Sequence, residues 1–242
     1  MESYGITDVG IRREVNQDYI YCNDNTIGLL PNLYIVADGM GGHKAGDFAS
    51  RFSVTVFEKE IREQKARTII GSMEGAVRQA NEFLLREAAA QSEYAGMGTT
   101  LVAGTITDER LFVVNIGDSR LYIIRETGQI RQITQDHSLV EEKILRGELE
   151  RKDAKYHPQK NVITRAIGAT EQVLPDFFEV ELEGISYVVL CSDGLTNMVE
   201  DNIIRDIVLN SDGSIKEKAE QLVALANKNG GKDNISVILI HI

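Results

Sequence analysis

The sequence predicts one α+β domain in which many antiparallel strands are covered by two pairs of helices, and three observations carry that expectation. First, apolar runs of strand length follow one another closely at 99–106, 111–116, 121–125 and 129–134. The turns between them are too short for the crossover that parallel neighbours require, which argues against a doubly wound parallel sheet. Second, the regions on either side of this block change to a helical period, with Ile69, Met73, Val77, Ala80 and Leu84 on one stripe and Ile215, Ala219, Leu222, Val223 and Ala226 on another. Third, the 242 residues contain no repeat and no Pro-, Gly- or Ser-rich linker. A chain of this size buries roughly 70–75% of its unfolded surface as one unit, 1–242.

Taken in order, Ser3–Val9 alternates weakly and reads as an edge or early strand. A polar segment, 10–18, leads into the strand-like run Tyr19–Cys22, and a hairpin connection over 24–31 returns the chain as Leu33–Ala37. Glycines 39, 41, 42 and 46 then crowd together before a helix from about Asp47, whose buried face is expected to carry Phe48, Phe52 and Val56. In the second helix Met73 and Phe83 are expected in the core. The strand block follows as an antiparallel meander. Segment 136–161 is charged, with short helical fragments at 139–145 and 148–154, and is long for a connection. It reads as a lid or binding segment, or as a surface excursion without function. The stretch 170–183 offers another edge pair before the strand 187–191. A helix over Ile203–Val208 is expected to be capped by Asp201, and Ser214 with Glu217 has the spacing of a capping box for the last helix. Gly230 and Gly231 end it, and Ile235–Ile240 forms a final strand.

Composition narrows the class. Hydrophobic residues make up 43% and charged residues 26%, as in ordinary globular chains. The net charge of -11 argues against nucleic acid and against an anionic membrane surface as partners. It does not argue against a phosphorylated substrate, because bound cations reverse a local field. The two cysteines, Cys22 and Cys191, are expected as free buried thiols. Neither a zinc spacing nor a secretory leader pattern is present, and no apolar run has membrane-spanning length, so a cytoplasmic location is expected.

The chemistry-bearing residues are aspartates at strand ends. Asp38 follows Leu33–Ala37, Asp193 follows Tyr187–Cys191, and Asp233 precedes Ile235–Ile240; Asp18 and Asp118 also flank apolar runs. Taken singly, each reads as a solvated turn residue. Together they suggest an oxygen-rich site for a hard cation such as Mg²⁺ or Mn²⁺, since converging carboxylates destabilise one another without counter-ions. No phosphate-binding P-loop, dinucleotide fingerprint or serine-nucleophile elbow occurs.

An ordered set of segments is similar to one family. They are Thr7-Asp-Val-Gly-Ile-Arg-Arg-Glu-Val-Asn-Gln-Asp18, Ala37-Asp-Gly-Met-Gly-Gly-His43, Gly98-Thr-Thr100, Asn115-Ile-Gly-Asp-Ser-Arg120 and Asp136-His-Ser138. His157-Pro158, Lys160-Asn161, Thr164-Arg165, Cys191-Ser-Asp-Gly194 and Asp233-Asn234 complete the set. In this order they make the chain resemble bacterial members of the PPM/PP2C family of metal-dependent serine/threonine protein phosphatases. The resemblance implies a four-layer α/β/β/α sandwich with two central, mostly antiparallel sheets flanked by helix pairs.

It also implies a site with two Mn²⁺ or Mg²⁺ ions in the core and a third held more weakly. Asp38 is expected to bridge the core ions, with the Gly39 carbonyl on one and Asp193 and Asp233 completing the other. Asp18 is expected near the second ion through water, and Asp118 with Asp193 at the third. Arg13 is expected to clamp the substrate phosphate, and Asn234 to support the cluster. Many eukaryotic members carry a histidine directly after the Asp-Gly pair, where this chain has Met40; for His43, proton transfer and an orienting or loop role both stay open. The expected reaction is in-line attack of a metal-bridging hydroxide on a phosphoserine or phosphothreonine monoester, without a covalent phosphoenzyme.

The resemblance further implies that 136–161 is a flap and that the partners are phosphoproteins made by a cognate bacterial serine/threonine kinase. A monomer is expected. The alternatives are a metal phosphoesterase acting on small molecules and a catalytically silent phosphoprotein-binding regulator. The second would be expected to show substitutions among the core carboxylates, and none is visible.

Overall fold

A computed structural model, described here for residues 1–42 and 44–242, has two antiparallel sheets face to face with a helix pair on each outer surface. The first sheet has the order β1 (Glu2–Asp8), β11 (Ile235–His241), β10 (Ile185–Cys191), β7 (Arg120–Arg125) and β8 (Ile130–Gln132). In the second, β2 (Asp18–Asn23), β3 (Leu33–Met40), β5 (Leu101–Ile106), β6 (Arg110–Ile116) and β9 (Asp176–Glu181) are neighbours in that order, and the short β4 (Gly98–Thr99) pairs with β3.

The strand side chains alternate between two apolar environments, which is why the central strands carry almost no polar positions. In β3, Leu33, Ile35 and Ala37 point to the helix side, whereas Tyr34 and Val36 enter the space between the sheets. In β11, Ile235, Val237 and Leu239 face the helices and Ile238 and Ile240 face the opposite sheet. Each fully buried aliphatic side chain contributes about 1.5–3 kcal/mol of transfer free energy, so the central strands are the most firmly fixed part of the backbone.

Helices α1 (Ala45–Glu63) and α2 (Ile69–Ala90) cover the second sheet. The α1 stripe is not the expected one. Ala45, Ala49, Val54, Phe57 and Ile61 are buried, and Phe48, Phe52 and Val56 lie at its margin, where Phe48 stacks on Phe52 and Tyr94. Small residues at the centre of the stripe let the helix approach the sheet closely. Met73 is buried, but Phe83 is 39% exposed, one position off the Val77–Ala80–Leu84 stripe and beneath the Arg86 guanidinium.

On the other face lie α5 (Asp201–Asn210) and α6 (Ile215–Lys228). The α6 capping box forms as expected, with Ser214 accepting from the Glu217 N–H and Glu217 accepting from the Ser214 N–H. Such a cap contributes about 1 kcal/mol. Asp201 is not the cap of α5: the chain enters the helix at Glu200, and the Asp201 carboxylate accepts from the Tyr122 hydroxyl instead. Cys191 is buried and free, whereas Cys22 is exposed, because β2 is an edge strand.

The strand block departs from a plain meander at the place that matters most. β5 and β6 pair, but β7 belongs to the other sheet, so the turn Gly117–Ser119 carries the chain across the sandwich. Of 170–183 only Asp176–Glu181 is a strand, at a sheet edge. Segment 136–161 forms the short helix α3 (Leu139–Leu145) as expected, but its second fragment is a 3-10 turn at Arg151–Tyr156. No described helix is long and apolar enough to cross a membrane.

Candidate metal centre and phosphate clamp

The aspartates singled out by sequence collect at one end of the sandwich because strand ends from both sheets meet there. Asp18 and Asp38 are direct partners in the β2–β3 register. Side chains so paired share a face with Cβ atoms about 5 Å apart. Asp118 lies in the crossover turn after β6. Asp193 opens α4 (Asp193–Thr196), a single turn that the sequence did not suggest, directly after β10. Asp233 stands just before β11, and Gly194 ties the last two together: a Cβ on it would lie 1.9 Å from the Asn234 carbonyl oxygen, so only glycine allows this approach.

The surroundings fix the backbone more than they neutralise the charge. Thr100 Oγ1 accepts from the Asp38 N–H at 2.9 Å, and the Asp38 carbonyl accepts from the Thr100 N–H and the Thr99 hydroxyl. Gly39, in β3 opposite Thr99, donates its N–H to the Gln17 carbonyl. One oxygen of the buried Asp18 accepts from Ser192 and Ser236, each at 2.7 Å. Asn197 donates to one oxygen of Asp193 at 2.9 Å. The other oxygen of Asp18 and of Asp193, and one oxygen of Asp118, is buried and has no partner.

Those orphaned oxygens are costly, and the electrostatics agree. Burial, opposed by the serine hydrogen bonds and reinforced by the charges of Asp193 and Asp233, pushes the Asp18 carboxyl up to about 7. Burial and the neighbouring carboxylates Asp193 and Asp136 push Asp118 up to about 8, and burial with Asp233 pushes Asp193 up to about 6. Asp38 is raised well above the usual carboxylate range by desolvation and by Asp18, Asp193, Asp118 and Asp233. The other four expected carboxylates therefore all lie within electrostatic reach of Asp38.

No three His, Cys, Asp or Glu side chains among the described residues already close into a metal-ligand cluster. The donor set nevertheless fits hard divalent cations. Every donor is an oxygen, three of them are buried without a partner, and their repulsion is what a cation would relieve.

Arg13 lies at the rim, where its Nη2 donates to Asp233 Oδ2 at 2.8 Å. Its segment is strapped down by Asn234, whose Oδ1 accepts from the Gln17 N–H and whose Nδ2 donates to the Val9 and Val15 carbonyls. The adjacent Ile11 and Arg12 N–H groups both donate to the Gly231 carbonyl. Met40 ends β3, and His43 lies outside the described residues. Of the residues that the structure adds to the site, Thr100 and Ser192 lie within the family motifs and Ser236 and Asn197 are marked by none. The available signal was a serine directly after the apolar run of β10 at 192 and another alone within the apolar β11 at 236.

Comparison with known proteins decides the family. The family profile described as "Protein phosphatase 2C" matches residues 11–238. The chain belongs to the protein phosphatase 2C family. This phosphatase is 41% identical over 242 residues to protein phosphatase PhpP of Streptococcus pneumoniae, covering 99% of this chain and 97% of the relative. Its fold matches the crystal structure of the serine/threonine phosphatase Stp1 from Staphylococcus aureus with a TM-score of 0.92 at 36% identity, over 100% of this chain and 94% of that one. It also matches the catalytic domain of the serine/threonine protein phosphatase PstP in complex with two manganese ions, with a TM-score of 0.84 at 30% identity, over 98% and 96% of the two chains.

Proposed function

We infer that this phosphatase hydrolyses phosphoserine and phosphothreonine monoesters in proteins, with its cations held by the strand-end carboxylates. The observation that carries the reading is the convergence of Asp18, Asp38, Asp118 and Asp193 with buried, mutually repelling oxygens beside an arginine fork. Asp38 and the Gly39 carbonyl, with Asp193 and Asp233, are assigned as the core ligands. Asp18 is assigned to support through water, and Asp118 with Asp193 to a weaker third position. When bound, such ions lower the pKa of water toward neutrality and neutralise charge on the phosphoryl oxygens.

The residues of the chain supply position. Ser192 and Ser236 hold one Asp18 oxygen and leave the other without a protein partner, and Thr99 and Thr100 keep the Asp38 peptide in place. Arg13 exchanges part of its contact with Asp233 for two phosphoryl oxygens, which its planar fork matches better than a lysine would. Its position beside the carboxylates orients the ester for in-line attack and stabilises charge on the equatorial oxygens.

Segment 136–161 is assigned as a substrate-selecting lid on the single phosphatase domain. A polar cavity of about 510 Å³ separates it from β7 and α5, lined by Arg120, Glu141, Arg151, Lys155, Asn197 and Glu200 among others. The substrates are assigned as proteins phosphorylated by a cognate serine/threonine kinase. The test is phosphate release from phosphothreonine, phosphoserine and phosphotyrosine peptides of one sequence, with and without Mn²⁺. The reading expects Mn²⁺-dependent turnover of the first two. Equal turnover of all three and of simple aryl phosphates would replace it with a small-molecule phosphoesterase.

A further inference from the structure

The crossover turn that carries Asp118 is gripped by a residue from the root of the flap. His137 is buried, and it holds the Gly117 peptide twice: its own N–H donates to the Gly117 carbonyl at 2.9 Å, and its ring Nδ1 accepts from the Gly117 N–H at 3.1 Å. A backbone N–H only donates, so Nδ1 carries no proton and the hydrogen sits on Nε2. Nε2 lies 3.0 Å from Asp176 Oδ2 and donates to it. The other Asp176 oxygen accepts from Arg165 Nη1 at 3.0 Å.

The same histidine binds the two roots of the flap to each other. Its carbonyl accepts from the Thr164 N–H at 2.8 Å, Ser138 and Ile163 form an isolated bridge, and the Leu139 N–H reaches the Val162 carbonyl. The circuit closes through the second sheet, where Asp176 at the start of β9 pairs with Asn115 near the end of β6, just before the turn. The turn has little other freedom. Gly117 adopts φ +103°, and a Cβ there would lie 2.5 Å from Thr100 Cγ2. The next residue, Asp118, presents a buried oxygen without a partner.

We propose that His137 is a positioning residue for Asp118: through the Gly117 peptide it sets the direction of that carboxylate and makes it depend on the two flap roots staying joined. The proposal rests on the reading that Asp118 helps to hold a weakly bound cation. In physical terms it is an outer partner that orients a ligand it never touches. Loss of such partners typically costs about 10–100-fold in metal affinity.

The two halves of the ring contact can be removed separately in the full-length protein. His137→Gln keeps a donor near Asp176 but withdraws the acceptor from Gly117, whereas His137→Asn keeps an acceptor at the Nδ1 position. Manganese alone is titrated calorimetrically into the ion-free proteins, with bound Mn²⁺ counted by electron paramagnetic resonance. Exchange of the Gly117 amide proton is followed by NMR, alongside thermal unfolding.

The expected result for His137→Gln is a loss of about tenfold or more in affinity for the weakest Mn²⁺ and faster Gly117 exchange, with the tighter ions unchanged. His137→Asn should stay within about threefold of the wild type, a rescue that a merely space-filling role does not give. Should His137→Gln fail to fold, Asp176→Ala at the partly exposed end of the chain of contacts replaces it, with the same expected direction. Weak-ion affinity unchanged in these variants, while Asp118→Asn abolishes it, overturns the proposal and leaves the cation reading intact. Unchanged Mn²⁺ binding in Asp118→Asn overturns the cation reading itself, and the positioning role with it.

Discussion

The carboxylate rim and the segment 136–161 lie at the same end of the molecule, yet they are built on opposite principles. The rim uses the register of central strands: Asp38 cannot move without breaking the β2–β3–β5 ladder and the Thr100 contacts. That rigidity allows charges to be held where they repel, because the apolar layers on both sides outweigh the repulsion. The flap has one helix of seven residues and a 3-10 turn, and its ion pairs are mostly exposed, such as Lys155–Glu200 and Lys152–Glu150. Exposed pairs are worth only about 0–1 kcal/mol each, so the segment can rearrange at little cost. Under the proposed function, chemistry that needs fixed geometry is assigned to the first kind of structure and selection among substrates to the second.

The largest effect should come from breaking the rim. Asp38→Asn is expected to lower kcat by at least ~10³-fold, measured by initial rates on a phosphothreonine peptide with saturating Mn²⁺. The same variant should unfold at a higher temperature than the wild type when both are free of ions, since one repelling charge has gone. Activity loss with a lower melting temperature would mean that Asp38 is structural.

Arg13→Ala comes next, at about 10²-fold in kcat/KM. Its Asp233 contact is exposed at the arginine, so ion-free stability should change by no more than about 1 kcal/mol. Unchanged kinetics would remove the arginine from phosphate binding.

The pH dependence of the ion-free protein sharpens the contrast. Asp193, Asp18 and Asp118 are raised from 3.8 to about 6, 7 and 8. The folded form thus keeps protons that the unfolded chain has already released. Their stabilising contribution is complete below about pH 4 and is lost as pH rises through 6 to 8. Thermal scans at pH 5 and pH 8 in a chelator should show the lower melting temperature at pH 8, and Mn²⁺ should reverse the order with release of protons. A melting temperature independent of pH would place these carboxyls in solvent.

The smallest effect is expected in the flap. Lys155→Ala removes an exposed pair with Glu200 on the cavity wall and should leave the melting temperature nearly unchanged. Its kinetic effect should be larger on a phosphopeptide than on p-nitrophenyl phosphate, and equal effects on both would argue against a selecting lid.

The same contrast explains what the sequence made legible. The rim was readable because strand ends leave a signature, an apolar run followed by a lone aspartate, and the ordered motifs gave each aspartate a neighbourhood. The α6 cap was readable for a similar reason, since its two partners lie three residues apart. Relations across the sheets were not. Nothing local says that the chain changes sheets between β6 and β7, that Ser192 and Ser236 converge on one Asp18 oxygen, or that His137 grips Gly117. Local misreadings had local causes: α1 uses small residues rather than Phe48 and Phe52 at its centre, and Phe83 and Cys22 lie at margins that periodicity does not mark.

The central claim is that carboxylates distant in sequence meet to hold divalent cations, and diffraction from a Mn²⁺-soaked crystal at the manganese absorption edge tests it most directly. The account predicts at least two anomalous peaks bounded by Asp38, Asp193 and Asp233, with a weaker one beside Asp118. Manganese found only elsewhere on the surface, with those carboxylates unliganded, would contradict it.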